Sequence, residues 1–266
     1  MNSFRVTFAP EYQNDKALND FVRQLPSVFD EQGELIYDKR NRLKIFKVKG
    51  STIGQIAVKR FKRPNVIQNV VYSFFAKNKA YRAFYNALTL LERGIKTPHP
   101  VAFMEEIVGR RFIGHTYLVT EVIDWPPIKS VLKEQHDYNE EVLTDFARFA
   151  AQLHAAGILH HDLNDTNVLF QRTQQGTEFA LIDNNRMDIL PLGQQPTDFQ
   201  RYENLTRFTN RLERFRFVAQ RYIEYRNNAD DNLDEMLEVK KKHDRQRLRR
   251  KRILHPRTER YRHPLT

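Results

Sequence analysis

One short segment, residues 160–170, constrains the fold of this chain more than any other part of its sequence. It reads HHDLNDTNVLF and places Asp162 and Asn167 in a loop that runs into an apolar strand. A polar turn then leads to a second apolar run, Phe179–Ile182, which is followed by Asp183. Two short strands joined by such a turn predict a hairpin that brings Asn167 and Asp183 side by side.

The oxygen atoms of these side chains suit phosphoryl transfer. Mg²⁺ takes one or two oxygen ligands from a protein and completes its octahedron with phosphate and water. The carboxylate of Asp183 and the amide carbonyl of Asn167 are such ligands, and Asp162, left free of metal, can orient a hydroxyl and accept its proton. The alternative is that these side chains only satisfy the loop backbone, as Asx turns do.

A third motif lies upstream, in the strand-like run IAVK that ends at Lys59. A lysine there can hold nucleotide phosphates as a point charge. About 100 residues separate Lys59 from Asp162, and this order matches the kinase signature of a strand lysine, a catalytic loop and a metal-binding Asp. In the same interpretation, the strand end at Glu121 and Val122 is where backbone groups would meet the adenine of ATP.

The first part of the chain alternates short apolar runs with turn signals, which predicts a sheet. The predicted strands are Phe4–Phe8, Leu35–Tyr37, Leu43–Val48, Gln55–Phe61, Val101–Glu106 and His115–Ile123. The stretch GSTIG at 50–54 predicts a hairpin, and apolar spacing predicts a helix over Lys77–Arg93 that stops at Gly94. Residues 39–63 carry ten Lys and Arg and no acid, so this sheet is locally basic.

Two prolines at 126–127 predict a boundary between an N-terminal domain, residues 1–123, and a helical domain, residues 124–239. One helix begins with a capping box of Asp137 and Glu140. A second helix covers Asp198–Tyr225, with an apolar stripe at helical spacing and an arginine-rich face.

The charge of the chain is concentrated at one end. The net charge is +11, and residues 240–266 hold 12 Lys and Arg against two acids, which leaves the rest nearly neutral. We interpret this basic tail as a solvated or disordered segment attracted to an anionic membrane, since a basic residue near anionic lipid gains roughly 1 kcal/mol. Nucleic acid, bound through its phosphates, is the competing partner.

The chain contains no cysteine, which excludes disulfides, thiol nucleophiles and Cys-ligated metal sites. Its first 25 residues lack the basic start and apolar run of a secretory signal. No run approaches the roughly 18 apolar residues of a membrane span. We therefore expect a soluble protein of a reducing compartment.

Together these residues resemble the lipopolysaccharide kinases, a protein-kinase-like family that phosphorylates heptose or 3-deoxy-manno-octulosonic acid in the lipopolysaccharide core of Gram-negative bacteria. The likeness spans roughly residues 4–227, and the loop His160–Asn164 is its most specific part. The other matching segments are RN at 40–41, AVKRF at 57–61, NKA at 78–80, GIKTPHP at 94–100 and IDNNRM at 182–187.

The resemblance implies an α+β, bilobal protein-kinase-like fold with a small β-rich N-lobe and a mainly helical C-lobe. It implies that Asp162 is the catalytic base, that Asn167 and Asp183 ligate Mg²⁺, and that Lys59 holds the phosphates of ATP. Asn164 stands where protein kinases carry a lysine, which favours a sugar kinase over a protein kinase.

Three features depart from the kinase pattern. No Gly-rich loop occurs, so the turn at 38–41 or another backbone segment must cover the phosphates. Two asparagines, instead of Phe-Gly, follow Asp183. The helix position expected to hold the glutamate that pairs with Lys59 is Ala83, and Glu92 is two turns further along, so another acid or Asp183 itself must support the lysine.

Other polar residues near these motifs have competing interpretations. Arg186 could contact an anionic sugar or a phosphate, or form an ordinary salt bridge. We expect His160 to be a packed structural residue and His154 to lie in the core or at the surface.

The predicted function is an ATP- and Mg²⁺-dependent phosphotransferase that acts on a hydroxyl of a lipopolysaccharide core sugar. The predicted place is the cytoplasmic face of the inner membrane, with a lipopolysaccharide precursor and anionic lipid as partners. One alternative is a non-catalytic pseudokinase scaffold at the membrane, because of Ala83. The other is a basic nucleic-acid-binding protein.

Overall fold

The computed structural model of the chain describes residues 3–65, 77–109, 112–132 and 139–254. The chain divides into two compact units. Unit 1 comprises Met1–Trp125 and Ala180–Met187, and unit 2 comprises Pro126–Phe179 and Asp188–Thr266. The chain therefore returns to unit 1 for eight residues after a long excursion into unit 2, and the predicted domain limits do not include this return.

Unit 1 is built on a six-stranded sheet in which every neighbouring pair is antiparallel. In chain order its strands are β1 (Ser3–Phe8), β2 (Glu34–Asp38), β3 (Arg42–Lys47), β4 (Gln55–Phe61), β5 (Pro100–Val108) and β6 (Phe112–Glu121). They lie across the sheet in the order β1-β5-β6-β4-β3-β2. All six predicted strands and the hairpin between β3 and β4 are confirmed, with small shifts at the strand ends.

A first helix, α1 (Lys16–Val28), was not predicted from the sequence. Asp15 caps it, because its carboxylate accepts the N–H of Leu18 at 3.0 Å. The other carboxylate oxygen accepts the hydroxyls of Ser51 and Thr52 at 2.8 and 3.0 Å, which ties the β3–β4 turn to the helix. Although desolvation opposes the shift, hydrogen bonds from Leu18 and Thr52 lower the pKa of Asp15 to about 2.

The second helix of unit 1, α2 (Lys79–Glu92), confirms the helix predicted over Lys77–Arg93. Asn78 is its N-cap and accepts the N–H of Tyr81 at 3.0 Å. The helix stops at Gly94, whose φ of 75° lies in the left-handed region that favours glycine.

Unit 2 is mainly helical, as predicted. Its helices are α3 (Glu140–Ala155), α4 (Asp198–Leu205), α5 (Leu212–Arg226) and α6 (Leu233–Leu254). Four short strands, β7 (Ile158–His160), β8 (Val168–Thr173), β9 (Gly176–Leu181) and β10 (Met187–Ile189), form the pairs β7–β10 and β8–β9. The last two residues of β9 and the first residue of β10 belong to unit 1. The predicted hairpin of two apolar strands is therefore confirmed as β8 and β9. Strand β7 leads into the loop that carries Asp162, and β9 leads into the segment that carries Asp183.

The start of α3 differs from the prediction. The N-cap is Asn139, whose side chain accepts the N–H of Val142 at 3.1 Å, and Glu140 is the first helical residue. Asp137, the predicted cap, lies outside the described residues. Asn and Asp cap helices equally well, so composition alone does not choose between the two positions.

The single helix predicted over Asp198–Tyr225 was wrong, since the structure has two helices, α4 and α5, separated by six residues. The carbonyl groups of Thr206 and Thr209, within this break, accept hydrogen bonds from the ammonium group of Lys240 at 3.1 and 2.5 Å. Lys240 also pairs with Asp244 at 2.8 Å. A buried cation thus replaces the helical hydrogen bonds that the break gives up.

The same contacts correct the prediction of a solvated tail that begins at residue 240. Lys240 is fully buried, and it lies on α6, which is helical from Leu233 to Leu254. Exposed basic residues follow Asp244, and residues 255–266 of the predicted tail lie outside the described ranges. None of the described helices is long and apolar enough to cross a bilayer.

The core of unit 2 contains a buried histidine, His154 of α3. Its Nε2 lies 3.1 Å from the side-chain oxygen of Asn204, and its Nδ1 lies 2.8 Å from the hydroxyl of Tyr222. Asn204 in turn donates to the carbonyl of His160 at 2.8 Å. Burial lowers the pKa of His154 to about 4, so the ring is neutral and links three helices to the loop that follows His160.

Because the buried ring of His154 is neutral, we predict that the folded protein loses stability in acid. Between about pH 6.5 and about pH 4 the unfolded chain binds a proton at His154 that the folded chain does not, so the free energy of unfolding falls as the pH is lowered. We expect this group to remove up to about 3 kcal/mol by pH 4. Urea unfolding over this range should show a shallower pH slope for His154→Gln.

A core variant that carries no titratable change is the control. Leu153→Ala lies on the same helix and should lose about 2–5 kcal/mol while keeping the wild-type pH slope. An unchanged slope in His154→Gln would contradict the assignment of a neutral ring.

Candidate active site

Unit 1 places Lys59 beside Asp183. Lys59 lies on β4, and its Nζ is 3.0 Å from Oδ1 of Asp183, with both side chains largely buried at 23% and 32% exposure. Within the described ranges, the acid that pairs with Lys59 is therefore Asp183, while Ala83 is buried in α2 and Glu92 is exposed at its end. Of the two supports considered from the sequence, the structure has the direct pair with Asp183.

Asp183 has an unusual backbone conformation, with a φ of 63°. Few residues other than glycine adopt the left-handed region, and Asp and Asn are the side chains that tolerate it best. The amide of Asn185 also hydrogen-bonds Oδ1 of Asp183. A single carboxylate oxygen, Oδ1, thus accepts hydrogen bonds from both an ammonium and an amide group.

Helix α2 holds the segment around Asp183 through amide groups in place of a glutamate. Asn86 of α2 donates to the carbonyl of Asn184 at 2.6 Å. Asn184 donates to the hydroxyl of Thr97 at 2.7 Å, and that hydroxyl donates to the carbonyl of Leu181 at 2.8 Å. This series of hydrogen bonds connects helix α2, the turn before β5 and the end of β9, all within unit 1.

The ammonium group of Lys79 in unit 1 interacts electrostatically with three arginines and with Asp183. Burial lowers the pKa of Lys79, the guanidinium groups of Arg40, Arg186 and Arg82 lower it further, and Asp183 raises it. Positive charge concentrated in this way attracts polyanions. The sequence placed Arg186 here as a possible phosphate contact, but it did not identify the role of Lys79, Arg40 and Arg82, for which the only signal was the local excess of basic residues.

The predicted adenine-binding strand end lies at the end of β6. Glu121 pairs with Ile56 of β4, and its carboxylate accepts the hydroxyl of Tyr12 at 2.7 Å. Its backbone N–H donates to the carbonyl of His99 at 2.9 Å. Val122 follows directly after the strand. Contact of Glu121 and Val122 with adenine stays a prediction, and Tyr12 is a neighbour that the sequence did not reveal.

Unit 2 shapes the loop that carries Asp162. The amide group of Asn164 donates to Oδ1 of Asp162 at 2.9 Å. The side-chain oxygen of Asn164 accepts the backbone N–H groups of Thr166 and Asn167 at 2.9 and 3.2 Å. Asn164 therefore closes the loop and orients the carboxylate at once, a role that its position between two Asp residues did not predict.

Asn167 is anchored by the same loop. Its amide nitrogen donates to the backbone carbonyl of Asp162 at 2.9 Å, which leaves the amide oxygen, a suitable Mg²⁺ ligand, for another partner. Among the described residues no group of three or more His, Asp or Glu could hold a metal. Asn167 belongs to unit 2 and Asp183 to unit 1, and their convergence stays a prediction.

The histidines of this loop have structural partners. Nδ1 of His160 accepts the backbone N–H of Asp162 at 3.1 Å, and His160 is fully buried, as expected for a packed residue. Nε2 of His161 lies 2.7 Å from a carboxylate oxygen of Asp188.

Burial raises the pKa of Asp165, which lies in the same loop.

The order of these groups along the chain matches a known family. The model of the lipopolysaccharide kinase (Kdo/WaaP) family matches residues 30–227, which is about three quarters of this chain. The chain belongs to this family. The resemblance inferred from the sequence is thereby confirmed.

Curated relatives are similar over part of their length. The chain is 26% identical over 146 residues to the 3-deoxy-D-manno-octulosonic acid kinase of Haemophilus influenzae KW20, which covers 54% of this chain and 57% of that protein. It is 29% identical over 112 residues to the kinase of the same name from Pasteurella multocida Pm70, covering 42% and 46% of the two chains. The chain thus spans about half the length of the curated relatives it matches.

A solved structure described as WaaP in complex with acyl carrier protein is also similar. It aligns with a TM-score of 0.57 and 16% identity over 94% of this chain and 99% of that one. At this identity the likeness shows the fold alone, and it confirms the predicted α+β, protein-kinase-like fold of this lipopolysaccharide kinase family member.

The hydrogen bond from Asn86 of α2 leads to a prediction about the local stability of the segment around Asp183. Asn86→Ala removes the hydrogen bond to the carbonyl of Asn184, so we expect a loss of about 1–2 kcal/mol of stability. Backbone amides of residues 181–187 should exchange with deuterium faster in this variant than in the wild type.

Thr89→Ala on the same helix is the matched control, since it removes only an exposed bond to the carbonyl of Tyr85. It should leave exchange in residues 181–187 unchanged. Equal exchange in the wild type and in Asn86→Ala would show that α2 does not hold this segment.

Proposed function

We propose that this protein is an ATP- and Mg²⁺-dependent kinase that phosphorylates a hydroxyl group of a lipopolysaccharide core sugar. The observation that carries the proposal is the loop of unit 2, in which Asn164 orients the carboxylate of Asp162 at 2.9 Å. Membership of the lipopolysaccharide kinase family and the names of the curated relatives support a sugar as the acceptor.

In the proposed reaction Asp162 accepts the proton of the acceptor hydroxyl while that oxygen forms a bond to the γ-phosphorus of ATP. The bond from this phosphorus to the bridging oxygen of ADP breaks, and ADP leaves with the electron pair. Because Asn164 holds one carboxylate oxygen, Asp162 presents the other to the hydroxyl. The loop therefore sets the direction of proton transfer before the sugar binds.

The basic groups of unit 1 are suited to the triphosphate. Lys59, oriented by Asp183, would hold phosphate oxygens, and Lys79, Arg40 and Arg82 would supply the positive charge that a Gly-rich loop supplies through backbone N–H groups elsewhere. In this proposal a cationic side-chain cluster takes over the role of the missing Gly-rich loop.

The donor atoms fit Mg²⁺. A carboxylate from Asp183 and an amide oxygen from Asn167 form the small oxygen set that Mg²⁺ uses when phosphates complete its shell. When bound, the ion would neutralise phosphate charge and stabilise the charge of the transferring group.

Asp162→Asn tests the proposed base. The amide keeps the size of the side chain but cannot accept a proton, so we expect kcat to fall about 10²- to 10⁴-fold. Phosphate transfer from labelled ATP to a core oligosaccharide with 3-deoxy-manno-octulosonic acid measures the rate. The KM for ATP and the melting temperature should stay close to the wild-type values.

Asp188→Asn is the control, because its carboxylate is exposed and pairs with His161. It should retain wild-type activity. Full activity in Asp162→Asn would refute the mechanism, and a wild-type protein whose melting temperature does not rise with ATP and Mg²⁺ would favour the pseudokinase alternative.

We further propose that the protein acts at the cytoplasmic membrane face, held there by the exposed part of α6. This part begins after Asp244 and is rich in arginine. The apolar side chains of Leu248 and Ile253 are 53% and 69% exposed on it. Exposed apolar groups among arginines suit a helix that lies in the interface of an anionic bilayer.

Three neutralised arginines should weaken membrane binding. At roughly 1 kcal/mol for each residue, the combined change Arg245→Gln, Arg249→Gln and Arg250→Gln should lower partitioning to vesicles about a hundredfold. Cosedimentation with equal amounts of phosphatidylglycerol and phosphatidylcholine measures it. Point changes are preferable to deletion from residue 240, because Lys240 is buried.

Exposed lysines of unit 1 provide a control with the same charge change. Lys16→Gln, Lys47→Gln and Lys49→Gln together should leave vesicle binding within about twofold of the wild type. Equal loss in both triple variants would indicate a nonspecific charge effect, and tighter binding to duplex DNA than to vesicles would favour the nucleic-acid alternative.

A further inference from the structure

A second basic concavity lies in unit 1, at the tip of the sheet. It has a volume of about 390 Å³ and is formed by the β2–β3 turn, the end of β4 and His115 of β6. Six of the side chains that line it are cations, namely Lys39, Arg40, Arg42, Arg60, Lys62 and Arg63.

Most of this concavity lies on a different face of the sheet from the pair of Lys59 and Asp183. Successive side chains of a strand point to opposite faces. Lys59 reaches Asp183, whereas the next residue, Arg60, forms two hydrogen bonds to Asp30 at 2.7 Å and lies over the ring of Phe29. The two basic sites therefore face different surroundings within the same unit.

Half of the cations are already neutralised. Asp30 pairs with Arg42 and Arg60 at 2.9 and 2.7 Å. Glu106 pairs with Arg63 at 3.2 Å. Among the described residues, these carboxylates and Asp38, which also pairs with Arg42, are the acids that contact the set.

Lys39 and Lys62 form no ion pair with any described residue, and both are exposed. Arg40 also lines the concavity, but it belongs to the basic group around Lys79 that we assign to the triphosphate. A hydrogen bond joins the two sides of the concavity: the side-chain oxygen of Asn41, in the β2–β3 turn, accepts the backbone N–H of Lys62 at 3.2 Å. Burial lowers the pKa of His115, and its Nδ1 lies 3.4 Å from the carbonyl oxygen of Phe61, so the ring forms part of the wall of the concavity. A rigid concavity with unpaired cations favours an anion that carries several oxygens.

We propose that this concavity binds a phosphate or carboxylate group of the sugar acceptor, apart from the hydroxyl that is phosphorylated. The proposal rests on the proposed function, in which the acceptor is an acidic core sugar. Lys39 and Lys62 bind the anion, and Arg42, Arg60 and Arg63 hold the walls in place. Lys39 and Lys62 thus determine specificity for an acidic acceptor, and they take no part in phosphate transfer.

The double variant Lys39→Gln and Lys62→Gln tests this site in the full-length chain. We expect the KM for a phosphorylated core oligosaccharide to rise about tenfold, with kcat and the KM for ATP unchanged. The same variant should not change the KM for the oligosaccharide after its phosphate and carboxylate groups are removed. Inorganic phosphate should compete with the acidic acceptor in the wild type more strongly than in the variant.

Lys47→Gln with Lys49→Gln is the matched control, since both lysines are exposed at the end of β3 and neither lines the concavity. This control should keep the wild-type KM for the acceptor. An equal rise in both double variants, or a rise in the KM for ATP alone, would overturn the proposal.

Direct binding separates this proposal from the proposed function. Calorimetry of the acidic oligosaccharide without ATP should show weaker binding to the Lys39 and Lys62 variant even if the wild type transfers no phosphate. Equal affinity of the wild type and this variant would overturn the site whether or not the protein is a kinase.

Discussion

The ion pair between Lys59 and Asp183 is the interaction on which the proposed binding of phosphate in unit 1 depends. It joins the middle of the sheet to a segment that the chain reaches only after crossing unit 2. Because the helix position of the usual acidic partner is Ala83, no other described acid competes for the lysine. The carboxylate that would meet metal and phosphate therefore also orients the lysine that would meet phosphate.

Amide groups orient functional segments separately in each of the two units. Asn86 links α2 to the Asp183 segment, Asn185 bonds the Asp183 carboxylate, and Asn164 orients Asp162. A neutral amide forms directional hydrogen bonds but adds no net charge. The local electrostatic potential is therefore set by the lysines and arginines. The result is a strongly positive surface in unit 1, which suits a triphosphate donor and an acidic acceptor.

The loop of unit 2 depends on a different kind of support. The buried, neutral ring of His154 connects through Asn204 to the carbonyl of His160, and His160 in turn accepts the N–H of Asp162. His154, Asn204 and His160 are buried and hydrogen-bonded, as polar groups in a core must be. The position of the carboxylate is thus set by packing on three helices and not by the loop alone.

Local patterns in the sequence were enough to predict the strands of unit 1, helix α2 and the β8–β9 hairpin. The motifs and their order supported the resemblance to the family, and the catalytic role of the loop residues stays a prediction. Period-two and helical spacing, turn residues and motif order are properties of neighbouring residues, so they can be read without the fold. Helix α1 was open to the same reasoning, since Asp15 precedes apolar residues at helical spacing. Pro26 lies inside this helix, and proline in a helix interior is the local signal that argues against it.

What only the tertiary structure decided are contacts between residues far apart in the chain. The partner of Lys59 is 124 residues away, and Lys240 binds carbonyls more than 30 residues before it. These contacts turned a basic tail into a partly buried helix, divided a predicted helix in two and gathered Lys79 with three arginines. Burial and charge pairing depend on which surfaces meet when the chain folds, and no local pattern contains that information.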